Sequence, residues 1–409
     1  MYHQQELDWL DPLSAAQALA DHTNYLALLY SGAQYSYSGN FCYLAWDALE
    51  VFSNSETELK TEIINSSYYH FGYQAYEAGP SNLPSAYVEA PKQLFFKAAN
   101  ILIFDINEQK LSLLSNSSKK FQLPTAIAKK QNQQVIYDFT SNMSKEAYLQ
   151  KIAEIKEKIC EGAYYQINLT RKFFAECKNF AAIENFIKLA KLCPSPYAAF
   201  LKFKDLHILS SSPERFISCD GSKINTRPIK GTLAKDKGTA DDLYNSGKDR
   251  AENLMITDLM RNDLRSYTNN MQVDKLFAVD SFNNLHHMSS SISAELADNL
   301  NCYDLLKNCL PPGSMTGAPK IAAMEAIEKF EQQQRGIYSG ALGYFGPNNI
   351  CDFSVIIRTI IQQQERVEFQ VGGGIIYDSN PEEEWQETMI KAENIAKTLN
   401  IPLEQFKNL

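Results

Sequence analysis

The chain has no Cys-x-x-Cys pair: its eight cysteines, at 42, 160, 177, 193, 219, 302, 309 and 351, are scattered through 409 residues. That spacing disfavours a zinc or dithiol centre and suits a reducing compartment, so a cytoplasmic protein is expected. A cationic surplus is also missing, because 39 Lys and Arg stand against 48 Asp and Glu, for a net charge of −9. Nucleic acid and acidic membrane surfaces both need a cationic face and are not expected as partners. Any anionic substrate must be captured by local charge. Neither G-x-x-x-x-G-K-[ST] nor G-x-G-x-x-G occurs, which removes the common phosphate-cradling loops. No apolar run approaches membrane-spanning length, and the start, Met1 to Glu6, lacks the basic and apolar regions of a signal peptide. Internal repeats and low-complexity segments are absent as well.

What is present reads as a mixed α+β enzyme larger than a usual single core. Residues 1–125 alternate short apolar runs such as Tyr25 to Leu29 and Leu94 to Phe96 with Ser, Asn and Gly turns, the pattern of a β-rich region. Lys129 to Gln134 is polar and reads as a linker, and residues 135–409 form the second unit. There Ser144 is placed to cap a helix carrying Tyr148, Ile152, Ile155 and Ile159 on one face, with Gly162 to end it. Tyr165 to Leu169 alternates as a strand, with Gln166 and Asn168 on one face.

Several residues carry chemistry. Lys230, in Arg227-Pro228-Ile229-Lys230-Gly231-Thr232, follows a strand-like stretch and a proline-fixed turn. A partly desolvated lysine at the end of a rigid element has its pKa lowered and becomes a usable amine. Asp249 and Glu252 lie three apart on a predicted helix whose apolar side is supplied by Leu254, Met255, Ile256, Leu259 and Met260. Glu384 and Glu387 repeat that spacing on a second helix, opened by Asn380 and Pro381. Four acids on two helices can converge on a hard divalent cation, and Mg2+ commonly takes one or two carboxylates, waters and an anionic substrate. Glu214 and Lys230 flank a predicted hairpin around Asp220-Gly221, which can bring an acid to an amine. Gly372-Gly373-Gly374 follows the strand-like Glu368 to Val371, where bare backbone N–H groups can approach an anion. The small-residue stretch Gly313 to Lys320 leads through Pro319 into a helix over Ile321 to Phe330, whose N-terminus favours negative charge. Arg358, after Val355-Ile356-Ile357, reads as an inward charge on a strand that needs a partner.

Seven blocks in one order resemble the chorismate-utilising enzymes, the family of anthranilate, aminodeoxychorismate, isochorismate and salicylate synthases. Around Lys230 they are Ser210-Ser211-Ser212-Pro213-Glu214-Arg215-Phe216, Asp249 to Met255, Asp258 to Asp263, His286-His287-Met288-Ser289, Pro312 to Lys320, Gly372 to Ile375 and Glu384 to Thr388. The resemblance covers roughly residues 130 to 400. It implies two large antiparallel sheets packed face to face with helices outside and the active site between subdomains. It implies Mg2+ held directly by Glu252 and Glu387 with Asp249 and Glu384 as the outer pair, and Glu214 as the general acid that protonates a departing 4-hydroxyl. Tyr338, Arg358, Gly373, Gly374 and Lys391 would line the chorismate pocket, Ser314 would lie beneath it, and His287 would face the ring.

Two positions select among the branches. Isochorismate and salicylate synthases resemble each other in placing a water-activating lysine where this chain has Gln166, and a neutral amide cannot serve as that base. Anthranilate synthases keep the glutamine and usually have alanine at the position of Lys230. Gln166 together with Lys230 resembles the aminodeoxychorismate synthase pattern, which implies a covalent Lys230 intermediate and amination of chorismate by ammonia. The alternatives are an anthranilate synthase and, from another class, a non-catalytic binding subunit. Loss of acids would mark the last, and Glu214, Asp249, Glu252, Glu384 and Glu387 are all present. No segment suits a glutaminase or a pyridoxal-phosphate lyase, so ammonia is expected from a glutamine amidotransferase subunit in a heterodimer. Anthranilate synthases bind tryptophan between an N-terminal segment and a Pro-Ser-Pro-Tyr block like Pro194 to Tyr197; the residues alone leave open whether an effector binds here.

Overall fold

The computed structural model describes residues 2–409 apart from 33, 34, 36, 39, 78–82, 125–132, 282–284, 403 and 406–408. Most of the expected linker at Lys129 to Gln134 lies outside the described residues. The described strands are antiparallel and form one hydrogen-bonded network that folds back on itself at the long strand Gln93–Asp105. One arm runs from there through Phe41–Ser53, Tyr25–Tyr30, Tyr197–Phe203, Leu206–Ser212, Thr359–Gln363 and Arg366–Ile375 to Gln166–Lys178. The other runs through His70–Gln74, Ala341–Phe345, Ile350–Val355, Arg215–Asp220 and Lys223–Arg227 to Leu285–Leu296. The face-to-face pair of antiparallel layers is therefore observed, with the refinement that the shared strand Gln93–Asp105 joins the two layers.

Period-2 alternation decides what each layer buries. Ala27, Leu201 and Ile361 on one arm meet Phe71 and Tyr344 on the other and Phe96 on the shared strand, making the core between the layers. The opposite face of the first arm, with Leu28, Leu44 and Phe200, is covered by helices Pro12–Ala20, Ala182–Leu192 and Pro381–Leu399. Ile217, Ile292, Phe345 and Phe353 on the outer face of the second arm pack under helices Gly247–Arg265 and Cys302–Cys309. Each such Leu, Ile or Phe contributes about 1.5–3 kcal/mol relative to remaining exposed.

Helix Lys145–Cys160 begins where expected, with the Ser144 hydroxyl accepting the Ala147 N–H and Tyr148, Ile152 and Ile155 buried. Together with helix Lys320–Glu331 it packs on strand Gln166–Lys178 through Ile167, Leu169 and Phe330. No helix among the described residues is long and apolar enough to cross a membrane. The site forms where the far ends of the two arms meet helices Gly247–Arg265 and Pro381–Leu399.

Candidate active site

Pro228 has no N–H to give to a ladder and divides strand Lys223–Arg227 from strand Ile229–Ala234. The second of these pairs Ile229 with Ser289 and Thr232 with His287, so Lys230 and Gly231 together oppose Met288 alone. Two residues against one is a bulge, which re-aims a side chain. Lys230 therefore sits inside a strand, half-buried, and not at a strand end as the sequence suggested. Gly231 takes the positive φ of 93°, and a Cβ there would stand 3.0 Å from Asp249 Oδ1. Glycine thus both permits the bulge and lets helix Gly247–Arg265 close on it. From that helix the buried Asn253 reaches toward the Lys230 and Met288 carbonyls, each at 3.5 Å, and accepts from the Ser290 hydroxyl. Asn253 was not recognised in the sequence, because an amide on a helix carries no mark of the backbone it will meet.

The Asp220-Gly221 hairpin forms, setting Arg215 opposite Arg227, and so brings Glu214 into the field of Lys230. Glu214 is 6% exposed. Burial pushes its carboxyl up to about 7, while Ser314, the Lys230 ammonium and the Ile229 N–H oppose the rise. Ser314, in the short 3-10 turn Gly313–Met315, points its hydroxyl at Glu214 without full hydrogen-bond geometry. A carboxyl poised near neutrality can deliver a proton to a leaving group. It also has a consequence for stability. Below the ordinary glutamate range both folded and unfolded chains hold this proton, and as pH rises to the folded value the unfolded chain releases it first and is favoured. Between about pH 4 and about pH 8, the stability of Glu214→Gln relative to the parent should improve by on the order of 3 kcal/mol. Urea unfolding at several pH values measures this; a pH-independent difference contradicts a buried carboxyl titrating near neutrality.

The triple glycine is not a loop after a strand. Gly372, Gly373 and Gly374 are strand residues of Arg366–Ile375, opposite Thr170, Leu169 and Asn168. What they supply is space. A Cβ on Gly373 would stand 2.9 Å from Glu384 Oε2 and 3.8 Å from Glu387 Oε1, and one on Gly374 would stand 2.5 Å from Gln166 Nε2 and 3.0 Å from Lys230 Nζ. The missing side chains thus let the second acid pair approach the sheet and let Gln166 and Lys230 converge over Gly374. Both amide atoms of Gln166 and the Asn168 Oδ1 are buried without a hydrogen bond.

The acid pairs lie on the helices expected. Ser246 caps helix Gly247–Arg265, its hydroxyl accepting the Asp249 N–H at 3.3 Å. Leu254 is 50% exposed, a correction to the predicted apolar side, which is formed by Ile256, Leu259, Met260 and Leu264. Asn380 caps helix Pro381–Leu399 by accepting the Glu382 and Glu383 N–H groups. Glu384 accepts from Ser379 at 2.7 Å. Glu387 pairs with Lys391 at 2.6 Å, and Lys391 also donates to the Gly372 carbonyl at 2.7 Å. Burial raises Glu252 and Glu384, each also feeling Glu387, whereas Lys391 holds Glu387 low. Lys248, on the same helix as Glu252, sits in this field and was missed in the sequence.

Among the described residues no three His, Cys, Asp or Glu side chains come together as a complete metal cage. The donor set still fits Mg2+, which is satisfied by one or two carboxylates with waters and substrate oxygens, and the bare Gly373 leaves room beside Glu384 and Glu387.

His287 is buried on strand Leu285–Leu296, its Nδ1 2.9 Å from Thr232 Oγ1. Burial and the nearby Arg358 cation hold it down at about 3, so it is neutral near pH 7. Arg358 is not on a strand. It links Ile350–Val355 to Thr359–Gln363 with φ 51° and directs Nη1 to Cys193 Sγ at 3.7 Å. Tyr338 is buried in the apolar cluster with Met315 and Val355. A further device was illegible in the sequence: the buried Arg335 donates to Met315 O at 2.6 Å, to Asn168 O at 2.8 Å and to Glu331 at 2.6 Å. It pins the Ser314 turn to the strand bearing Gln166. A separate cavity of about 250 Å3 between the layers touches Tyr30, Ser31, Pro196, Tyr197, Arg215 and Tyr344, and none of the candidate site residues lines it.

Residues 16–397 match the family model described as chorismate binding enzyme. Aminodeoxychorismate synthase component 1 of Escherichia coli is 40% identical over 310 residues, 73% of this chain and 68% of that protein. Anthranilate synthase component 1 of Lactococcus lactis is 32% identical over 368 residues, 88% of this chain and 79% of the relative. The crystal structure of anthranilate synthase component I from Streptococcus pneumoniae superposes with a TM-score of 0.76 at 26% identity, covering 90% of this chain and 94% of the other.

Proposed function

Because the chain belongs to the family of chorismate binding enzymes, we propose that it acts as an aminodeoxychorismate synthase, converting chorismate and ammonia to 4-amino-4-deoxychorismate and water. The observation that carries this reading is the meeting of Lys230 Nζ and Gln166 Nε2 over Gly374, beside a Glu214 carboxyl held near 7. An amine and a proton donor share one pocket, and the residue at position 166 has no basic group with which to activate water.

In this reading the free amine of Lys230 bonds to ring C2 as the ring double bonds shift and the C4–O bond breaks. Glu214 gives its proton to the departing hydroxyl, which leaves as water. Ammonia then bonds to C4, the double bonds return, and the C2–N bond breaks with its electron pair going back to Lys230. The proton shed by the new ammonium group restores Glu214. A nucleophile that enters and leaves divides one difficult substitution into two easier ones. Neutral His287 orients and does not donate a full charge. Glu252 and Glu387, with Asp249 and Glu384 around them, would hold Mg2+, which supplies positive charge against a substrate carboxylate when bound.

The test is the product formed by the purified chain from chorismate, Mg2+ and an ammonium salt at alkaline pH, followed by chromatography, mass and fluorescence. The expected product is 4-amino-4-deoxychorismate; immediate formation of fluorescent anthranilate refutes the assignment in favour of an anthranilate synthase. Ammonia would come in the cell from a glutamine amidotransferase subunit. Glutamine should accordingly support turnover only when such a subunit is added, and glutamine-dependent turnover by the chain alone refutes that dependence.

A further inference from the structure

We infer that Asn168, with Gln166, forms a docking subsite for neutral ammonia beside Lys230; this rests on the amination reading above. Asn168 is the cross-strand partner of Gly374, and cross-strand partners project to the same face of a sheet. That face is where the absent Gly374 side chain leaves space, and Gln166 Nε2 and Lys230 Nζ approach the same point to 2.5 and 3.0 Å. The Asn168 backbone is fixed from both sides, its N–H donating to Thr316 O at 2.7 Å and its carbonyl accepting from Arg335 at 2.8 Å. Its side chain is 5% exposed with Oδ1 unpaired, and both amide atoms of Gln166, Oε1 and the Nε2 that faces Gly374, are likewise buried and unpaired.

Two buried amide oxygens without donors are costly unless a ligand supplies N–H or O–H groups. Chorismate offers almost only acceptors: two carboxylates, an ether oxygen and a single hydroxyl that departs. Ammonia offers three N–H groups. Held through them by carbonyl oxygens, it keeps its lone pair free to attack. The Lys230 nitrogen nearby, whenever charged, repels ammonium and selects the neutral form. The backbone locks on Asn168 place this acceptor on a rigid strand, as a subsite for so small a molecule requires.

The experiment is steady-state amination by the full chain with ammonia and chorismate varied independently, comparing the parent with Asn168→Ala and Asn168→Ser. Losing one neutral hydrogen bond should raise the KM for ammonia roughly five- to tenfold, with the KM for chorismate moving less than about twofold. Thermal unfolding checks that the variants are folded; Ser, the smaller change, carries the comparison should Ala destabilise the strand. An unchanged KM for ammonia in both variants overturns the subsite, and so does a parallel rise in the KM for chorismate, which would assign Asn168 to that substrate. A parent chain that forms no aminated product overturns the amination reading itself, and the subsite with it.

Discussion

Lys230→Ala should lower turnover of chorismate on the order of a hundredfold, a barrier increase of about 3 kcal/mol. With chorismate and Mg2+ but no ammonia, the parent chain should gain the mass of chorismate less one water, and peptide mapping should place it on Lys230. The bulge at Lys230-Gly231 presents the amine from a strand, so it is held in place before substrate arrives. Alanine removes the nucleophile but leaves Glu214, the acid pairs and the empty face of Gly374. Ammonia can then attack C2 directly, so the residual product should shift toward the 2-amino isomer, detected by its conversion to fluorescent anthranilate. A Lys230→Ala chain that makes 4-amino-4-deoxychorismate at the parent rate, with no adduct on the parent, would falsify the nucleophile and leave Lys230 a cationic wall of the pocket.

The parts of this site that were legible in the sequence are those whose spacing is local. Asp249 with Glu252 and Glu384 with Glu387 lie three apart on helices with visible caps, and the helices start at Gly247 and Pro381. The Asp220-Gly221 turn was equally readable. Contacts between distant segments were not. The register that makes Gly374 face Asn168 depends on two strands some 200 residues apart, so the three glycines read as a loop for an anion when they are gaps for side chains. Arg335 carries no periodic signal at all, yet it ties Met315 to Asn168. Leu254 misleads for the opposite reason: an apolar residue inside an apolar run reads as buried, although single exposed leucines are ordinary on helix surfaces.

Glu252→Gln and Glu387→Gln should each abolish measurable turnover while unfolding at nearly the parent temperature. Each change keeps side-chain volume and removes one negative charge from a place where acids already crowd. Burial raises Glu252, with Lys230 and Lys248 opposing the rise and Asp249 and Glu387 adding to it, so a neutral amide removes a buried charge that the metal-free chain holds at a cost. At Glu252 loss of function therefore comes with little loss of fold, and this separates a cation site from a structural ion pair. Glu387 has a second partner, Lys391 at 2.6 Å, but that pair is half exposed and such pairs contribute about 0–1 kcal/mol. Losing it cannot account for an inactive enzyme. Binding should follow activity: Mn2+ titrated as a spectroscopic stand-in for Mg2+ should bind the parent in the presence of chorismate and bind either variant at least tenfold more weakly. Asp249→Asn should show a smaller loss, because its carboxylate is already engaged with Ser246 at the helix start. Full activity in both glutamine variants, or Mn2+ binding unchanged by either, removes Mg2+ from Glu252 and Glu387 and leaves the four acids as a charged lining around Lys230.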